Sequence, residues 1–324
     1  VCRAFRPFAS PPATLARLQE GNFIAGRVDV DALAAHLPVQ LIRRLKRLPR
    51  ITLALAAMAH ADVGPDAAKP GSVFMGTGWG ALAETYDFLS RLTATAEKFP
   101  SPTDFVGSVH NGPASQAAIM FGATGANITT SGGDYSFEQA LLAADLMVDD
   151  RDQPTLLLGV DEGHDFFSPL LDASISADSI LVDGGAAFCL SRDQGRCRLT
   201  IPFYQSCRTP GGISALLAAL AAGRQGQGDY TLILAGIPAA MREQGEKQLA
   251  LLMATGKLAA PVIRYRQFTG EFASASAVAA AFAVSFLEAG LAPGSIAGGN
   301  DLALTAPAAT ILVLGLGQNI TAME

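Results

Sequence analysis

The stretch "NITTSGGDYSFEQALLAADLMVDDRDQPTLLLGVDE", residues 127–162, decides the fold class. A Gly-Gly-Asp step opens a helix whose apolar residues recur at helical spacing. Seven residues after Met147 the chain enters "PTLLLGVDE", a continuous apolar run. A run without polar alternation reads as a strand buried on both faces, as in parallel sheets covered by helices. A helix feeding a buried strand is the repeating unit of an α/β protein.

The unit recurs along the chain. "GSVFMGTG" (71–78), "GAAFCLSR" (185–192), "YTLILAGI" (230–237) and "ATILVLGLG" (309–317) also read as buried strands. "LPRITLALAAMAHAD", "GISALLAALAAG", "EKQLALLMATG" and "SASAVAAAFAVSFLEAG" read as helices, and several end in Gly, a normal stop signal. A long Ala-rich helix precedes a buried strand at 137–159 and again at 273–317. The echo predicts two similar halves, 1–195 and 196–324, divided within residues 193–210.

Composition narrows the function classes. Of 324 residues, 50% are hydrophobic and 16% charged, enough apolar surface for a large core or a core plus a subunit interface. The net charge of -6 argues against nucleic acid as a partner. The basic run "RRLKRLPR" at 43–50 reads as a solvated helix face, or as a contact for an acidic carrier protein. The four cysteines, Cys2, Cys189, Cys197 and Cys207, lack zinc-motif spacing and fit a reducing, cytoplasmic setting. The apolar stretch Phe272–Leu287 is shorter than the ~20 residues a membrane span needs and reads as a core helix. No secretory signal is expected. The chain begins with Val1 rather than Met, which points to residues upstream.

Several motifs have a bland and a sharp reading. "GTGWGALAE" (76–84) places its third glycine one residue too early for a dinucleotide fingerprint and reads as a tight strand-to-helix turn. "DEGHDFF" (161–167) groups three carboxylates and His164. Consecutive side chains point in different directions, so a polar loop is expected rather than a metal site. His110 and Asn111, in "SVHNGPAS", could serve catalysis, but a buried His satisfied by backbone is expected. No G-x-S-x-G nucleophile elbow occurs. Asp134 is expected to be a buried N-cap for the helix that follows, at the positive end of its dipole. It could in principle act as a base.

Taken in order, these segments resemble the β-ketoacyl synthases. "GSVFMGTGWGALAETYDFL" resembles their first-half strand and Gly turn. "TDFVGSVHNGPASQAAIMFGATGANITTSGGDYSFEQALLAADLMV" resembles the segment that crosses the dimer interface and presents the nucleophile. "TLLLGVDE", "ILVDGGAAFCLSR", "FTGEFASASAVAAAFAVSFLEAG" and "LGLGQN" resemble later family segments. The resemblance implies a thiolase-like fold of two duplicated α/β halves in a layered α-β-α-β-α core.

The departures fall on the chemistry. Active synthases carry Thr-Ala-Cys where this chain has Gly132, Gly133 and Asp134. Their first catalytic His corresponds to the neighbourhood of Ala235 and Gly236, their second to Glu271, and their Lys to Arg266. The thiolate attacks an acyl thioester, and the imidazoles hold the enolate charge of decarboxylation. A glutamate repels that charge. His36, His60, His110 and His164 match none of these positions.

Joint loss of all three groups resembles the chain length factors, silent partners of ketosynthases in type II polyketide and aryl-polyene systems. The resemblance implies a heterodimer with an active ketosynthase, substrates carried on acyl carrier protein, and no cofactor or metal. It puts Phe105, His110, Asn111, Met120, Phe121 and Leu316 at the interface or acyl tunnel. The alternatives are an enzyme using Asp134 (a condensing enzyme, malonyl decarboxylase or transacylase) and a self-associating scaffold.

Overall fold

The computed structural model describes residues 6–7, 26–96, 98, 100–147, 153–176, 179–191, 197–206, 211–223, 230–304 and 309–324. Cys2, Cys207 and part of the expected divide at 193–210 lie outside them. The chain forms two compact units. The first comprises residues 26–189 with 272–277, and the second residues 190–271 and 278–324 together with the N-terminal residues.

The first unit is built on strands β1 (Ser72–Gly76), β2 (Asn127–Thr130), β3 (Thr155–Asp161) and β4 (Gly184–Ser191). The spatial order is β4-β3-β1-β2, with Arg6–Pro7 pairing beyond β4. β1 is parallel to both β2 and β3, with Met75 opposite Thr129 on one side and Leu158 on the other. All seven residues of β3 are buried, as its unbroken apolar run predicts. Helices α1 (Arg47–Ala61) and α5 (Ser136–Met147) pack on this sheet. Phe74, Phe137, Leu141, Leu156 and Leu157 form its fully buried centre. Between β1 and β2 run α2 (Leu82–Ala94), α3 (Pro102–Ser108) and α4 (Gly112–Phe121).

The second unit repeats the plan. Its strands are β5 (Phe203–Ser206), β6 (Leu232–Gly236), β7 (Val262–Arg264), β8 (Ile311–Gly315) and β9 (Asn319–Met323), in the order β5-β9-β8-β6-β7. β6 is parallel to β7 and β8, and β9 is antiparallel to β8 and β5. Its helices include α6 (Gly212–Gly223) and α7 (Arg242–Gly256). Leu216, Ile233, Leu252, Leu312 and Leu314 belong to one buried cluster. Helix α8 (Ala275–Ala289) precedes β8 as α5 precedes β3, which is the echo seen in the sequence. α8 is largely buried, and among the described residues no helix is long and apolar enough to cross a membrane.

The basic run at 43–50 is not a solvated face. Arg43 and Arg44 are exposed, but Lys46 bonds to Asp87 and the Ala83 carbonyl. Arg47 pairs with Asp183, which is buried, and Arg50 pairs with Asp31. The run leads into α1, and Lys46, Arg47 and Arg50 hold that start in place.

Candidate functional site

In the first unit, β2 ends at Thr130 and the chain turns through a 3-10 turn, Gly133–Tyr135, into α5. Ser136 ties the turn. Its hydroxyl accepts the Gly132 N–H (2.9 Å) and donates to the Gly133 carbonyl (2.7 Å). Thr130 Oγ1 donates to the Ser136 carbonyl at 2.8 Å. Asp134 was expected to be buried. It is half-buried and sits inside the turn. The Gln139 amide lies over Gly132, in the space a Cβ there would occupy. A side chain at Gly132 would require the Gln139 amide to shift.

Buried carboxylates brace the unit from the end of β3. Asp161 Oδ1 accepts from Thr77 Oγ1 and the Trp79 N–H, both at 2.8 Å, and Oδ2 accepts the Ser274 N–H at 2.8 Å. Glu162 accepts the Ala83 N–H at 2.7 Å and the Leu48 N–H at 3.0 Å, joining the first turns of α2 and α1. Burial pushes the Asp161 carboxyl up, and pushes Glu162 up to about 7. The expected polar loop at 161–167 is therefore corrected at its first two residues, which are wholly buried. His164 Nδ1 accepts the Phe166 N–H at 3.2 Å, and burial holds its imidazole down. Among the described residues no three or more His, Cys, Asp and Glu side chains cluster so as to hold a metal ion.

The expected interface residues separate by exposure. Phe105 is 54% exposed and its ring meets Phe88 at 5.7 Å. His110 and Asn111 are exposed, so the expectation of a buried His110 is corrected: its ring lies over Gly80 at the surface. Met120 is half-buried. Phe121 is buried in its own unit, its ring 5.1 Å from that of His60, while Ile119 on the same helix is 70% exposed. Cys189 supplies no replacement nucleophile, because burial pushes its thiol up to about 12.

In the second unit, β6 ends at Gly236, and Leu316, fully buried, donates its N–H to the Gly236 carbonyl at 2.9 Å. A Cβ built on Gly236 would overlap the Tyr265 hydroxyl and ring. Tyr265 is 2% exposed and its N–H donates to the Ala235 carbonyl at 3.3 Å. Arg266 is buried and its Nη1 pairs with Glu271 Oε2 at 2.9 Å. The Ala239 N–H reaches the same oxygen at 3.4 Å. All four histidines of the chain, at 36, 60, 110 and 164, lie in the first unit, so the second contains none. Sequence reasoning missed Tyr265, since nothing in its neighbours signals that its ring folds back over β6.

The sequence pattern described as "Beta-ketoacyl synthase, N-terminal domain" matches residues 20–197, more than half of the chain. The chain belongs to the β-ketoacyl synthase family. Among solved structures it is similar to "The ishigamide ketosynthase/chain length factor", at 18% identity and TM-score 0.69, covering 99% of this chain and 98% of that one. It is also similar to "AntDE:AntF (apo): type II PKS acyl-carrier protein in complex with its ketosynthase bound to the hexaketide", at 14% identity and TM-score 0.71, covering 100% and 99%. A third similar structure is a β-ketoacyl synthase from Burkholderia phymatum, at 15% identity and TM-score 0.71, covering 100% and 98%. These likenesses place the chain in the thiolase-like fold of the ketosynthases. None of the curated proteins matches the chain.

Proposed function

We propose that this chain is a catalytically silent ketosynthase homologue of the chain length factor type. In this reading it pairs with an active ketosynthase in the cytoplasm and shapes the acyl tunnel for polyketide, aryl-polyene or fatty-acid-like chains held on acyl carrier protein. The observation that carries it is at Gly236. Tyr265 fills the space beside Gly236, near which the resemblance puts the first imidazole. The place of the second holds a glutamate bound to Arg266. Losing one group could leave a variant mechanism. A site whose nucleophile is absent and whose imidazole space is occupied has no means of forming the acyl-enzyme or stabilising the enolate.

The partner half of the reading draws on the surface of the first unit. β2 lies at the edge of its sheet, and Phe105, Val106 and Ile119 are exposed on α3 and α4. A bare strand edge beside apolar side chains invites a second chain. Co-expression with a ketosynthase encoded by a neighbouring gene, followed by native mass measurement, tests it. A one-to-one complex is expected. A chain that stays monomeric at micromolar concentration and ignores the synthase refutes the reading.

A further inference from the structure

The second unit carries a cleft of ≈ 440 Å³ that takes in Arg266 and Glu271 and extends beyond them to Arg242, Glu246 and Arg264. That volume suits a small ligand. Three guanidinium groups, from Arg242, Arg264 and Arg266, line it against two carboxylates, from Glu246 and Glu271. Arg264 holds Glu246 through two bonds of 2.7 Å each, and the pairing keeps that carboxyl below its ordinary range. Arg266, with 5% of its side chain exposed, meets Glu271 through Nη1. Arg242 is exposed, and its charge also favours the ionised Glu246 carboxylate without a close ion pair among the described residues. It is also the first residue of the 15-residue helix α7, whose start has no side-chain cap.

The cleft thus holds one more cation than anion, beside a helix start that favours negative charge. Arg266 is largely removed from solvent, so its field in the cleft is weakly screened. Guanidinium groups present paired N–H donors that match the planar oxygens of a carboxylate or the oxygens of a phosphate. We propose that this cleft is a binding site for a small ligand bearing a carboxylate or phosphate group, with Arg242 supplying the excess charge. Glu246 competes with that ligand for Arg264. The inference concerns the second unit alone and holds whatever the chain pairs with.

Isothermal titration of the full chain at low ionic strength, with sodium malonate and with inorganic phosphate as separate probes, tests it. One site per chain is expected, with a Kd below about 1 mM for at least one probe. Tighter binding of phosphate assigns a phosphoryl ligand, and tighter binding of malonate a carboxylate. Arg242→Gln should weaken binding about tenfold with an unchanged melting temperature. Glu246→Gln should strengthen it, because it releases Arg264. Absence of saturation by either probe, or binding that Arg242→Gln leaves unchanged, overturns the proposal.

Discussion

The phenol of Tyr265 occupies the space that any side chain at Gly236 would need. β7 runs parallel beside β6, and the chain turns at once after Arg264, which brings the ring over the end of β6. Inserting atoms into a filled interior costs roughly 1–3 kcal/mol. Gly236→Ala should therefore destabilise the protein by about that amount. In a Tyr265→Ala background the same substitution should cost much less, since the obstruction is gone. Urea denaturation of the four proteins in the cycle measures the coupling. Additive losses would mean that the two residues do not compete for space.

The Arg266–Glu271 pair predicts a second asymmetry. Removing one partner of a buried pair strands the other charge, at about 3–5 kcal/mol when burial is complete. Glu271 is 26% exposed, so Glu271→Ala should cost less, about 1–3 kcal/mol. Arg266→Met with Glu271→Ala should recover part of that loss in chemical denaturation. A double variant less stable than Glu271→Ala alone would contradict a paired role.

Glu162 makes stability depend on pH near neutrality. Its carboxyl rises from 4.5 to about 7 on folding, because burial outweighs its two backbone N–H bonds. The folded state therefore holds a proton that the unfolded state has lost between these values. Stability is full below about pH 4.5 and falls as pH rises through about 7, by about 3 kcal/mol for this group. Burial raises Glu84 and Asp161 in the same direction. The melting temperature should fall from pH 5 to pH 8, and Glu162→Gln should flatten that slope. Equal slopes for the two proteins would show that Glu162 is not the group responsible.

The exposed apolar residues of α3 and α4 yield a surface prediction. Phe105→Ser with Ile119→Ser should weaken binding to the partner ketosynthase about tenfold. Exposed substitutions move stability by about 0.5 kcal/mol or less, so the melting temperature should hold. Phe121→Ala acts differently, because Phe121 is buried against His60. It should cost about 3–5 kcal/mol, a loss seen in the isolated chain. Unchanged partner affinity in the double surface variant would move the interface elsewhere.

Much of the fold was legible because its central strands are unbroken apolar runs. β3 and β8 show this directly, and the helix before each reveals the duplication. β2 was not legible as a strand, since "NITT" sits at a sheet edge and carries no long apolar run. β9 was missed because "NITAM" follows β8 after a tight turn and reads as the frayed end of the same run. At the site, residue identity carries the proposed loss of Cys, His and His. It did not reveal what fills the space. Tyr265 over Gly236 and Gln139 over Gly132 are contacts between side chain and backbone, and no periodicity encodes them. The carboxylates at Asp161 and Glu162 looked solvated because charge usually is; their partners are backbone amides distant in sequence.

The central claim is that chemistry belongs to the partner and not to this chain. The most direct measurement is thioester condensation by the reconstituted pair, with malonyl and acyl groups on carrier protein, comparing two single variants. Replacing the partner synthase's nucleophilic cysteine should abolish turnover, while Asp134→Ala in this chain should leave it intact. Turnover by this chain alone, proportional to its concentration and lost in Asp134→Ala, would contradict the account.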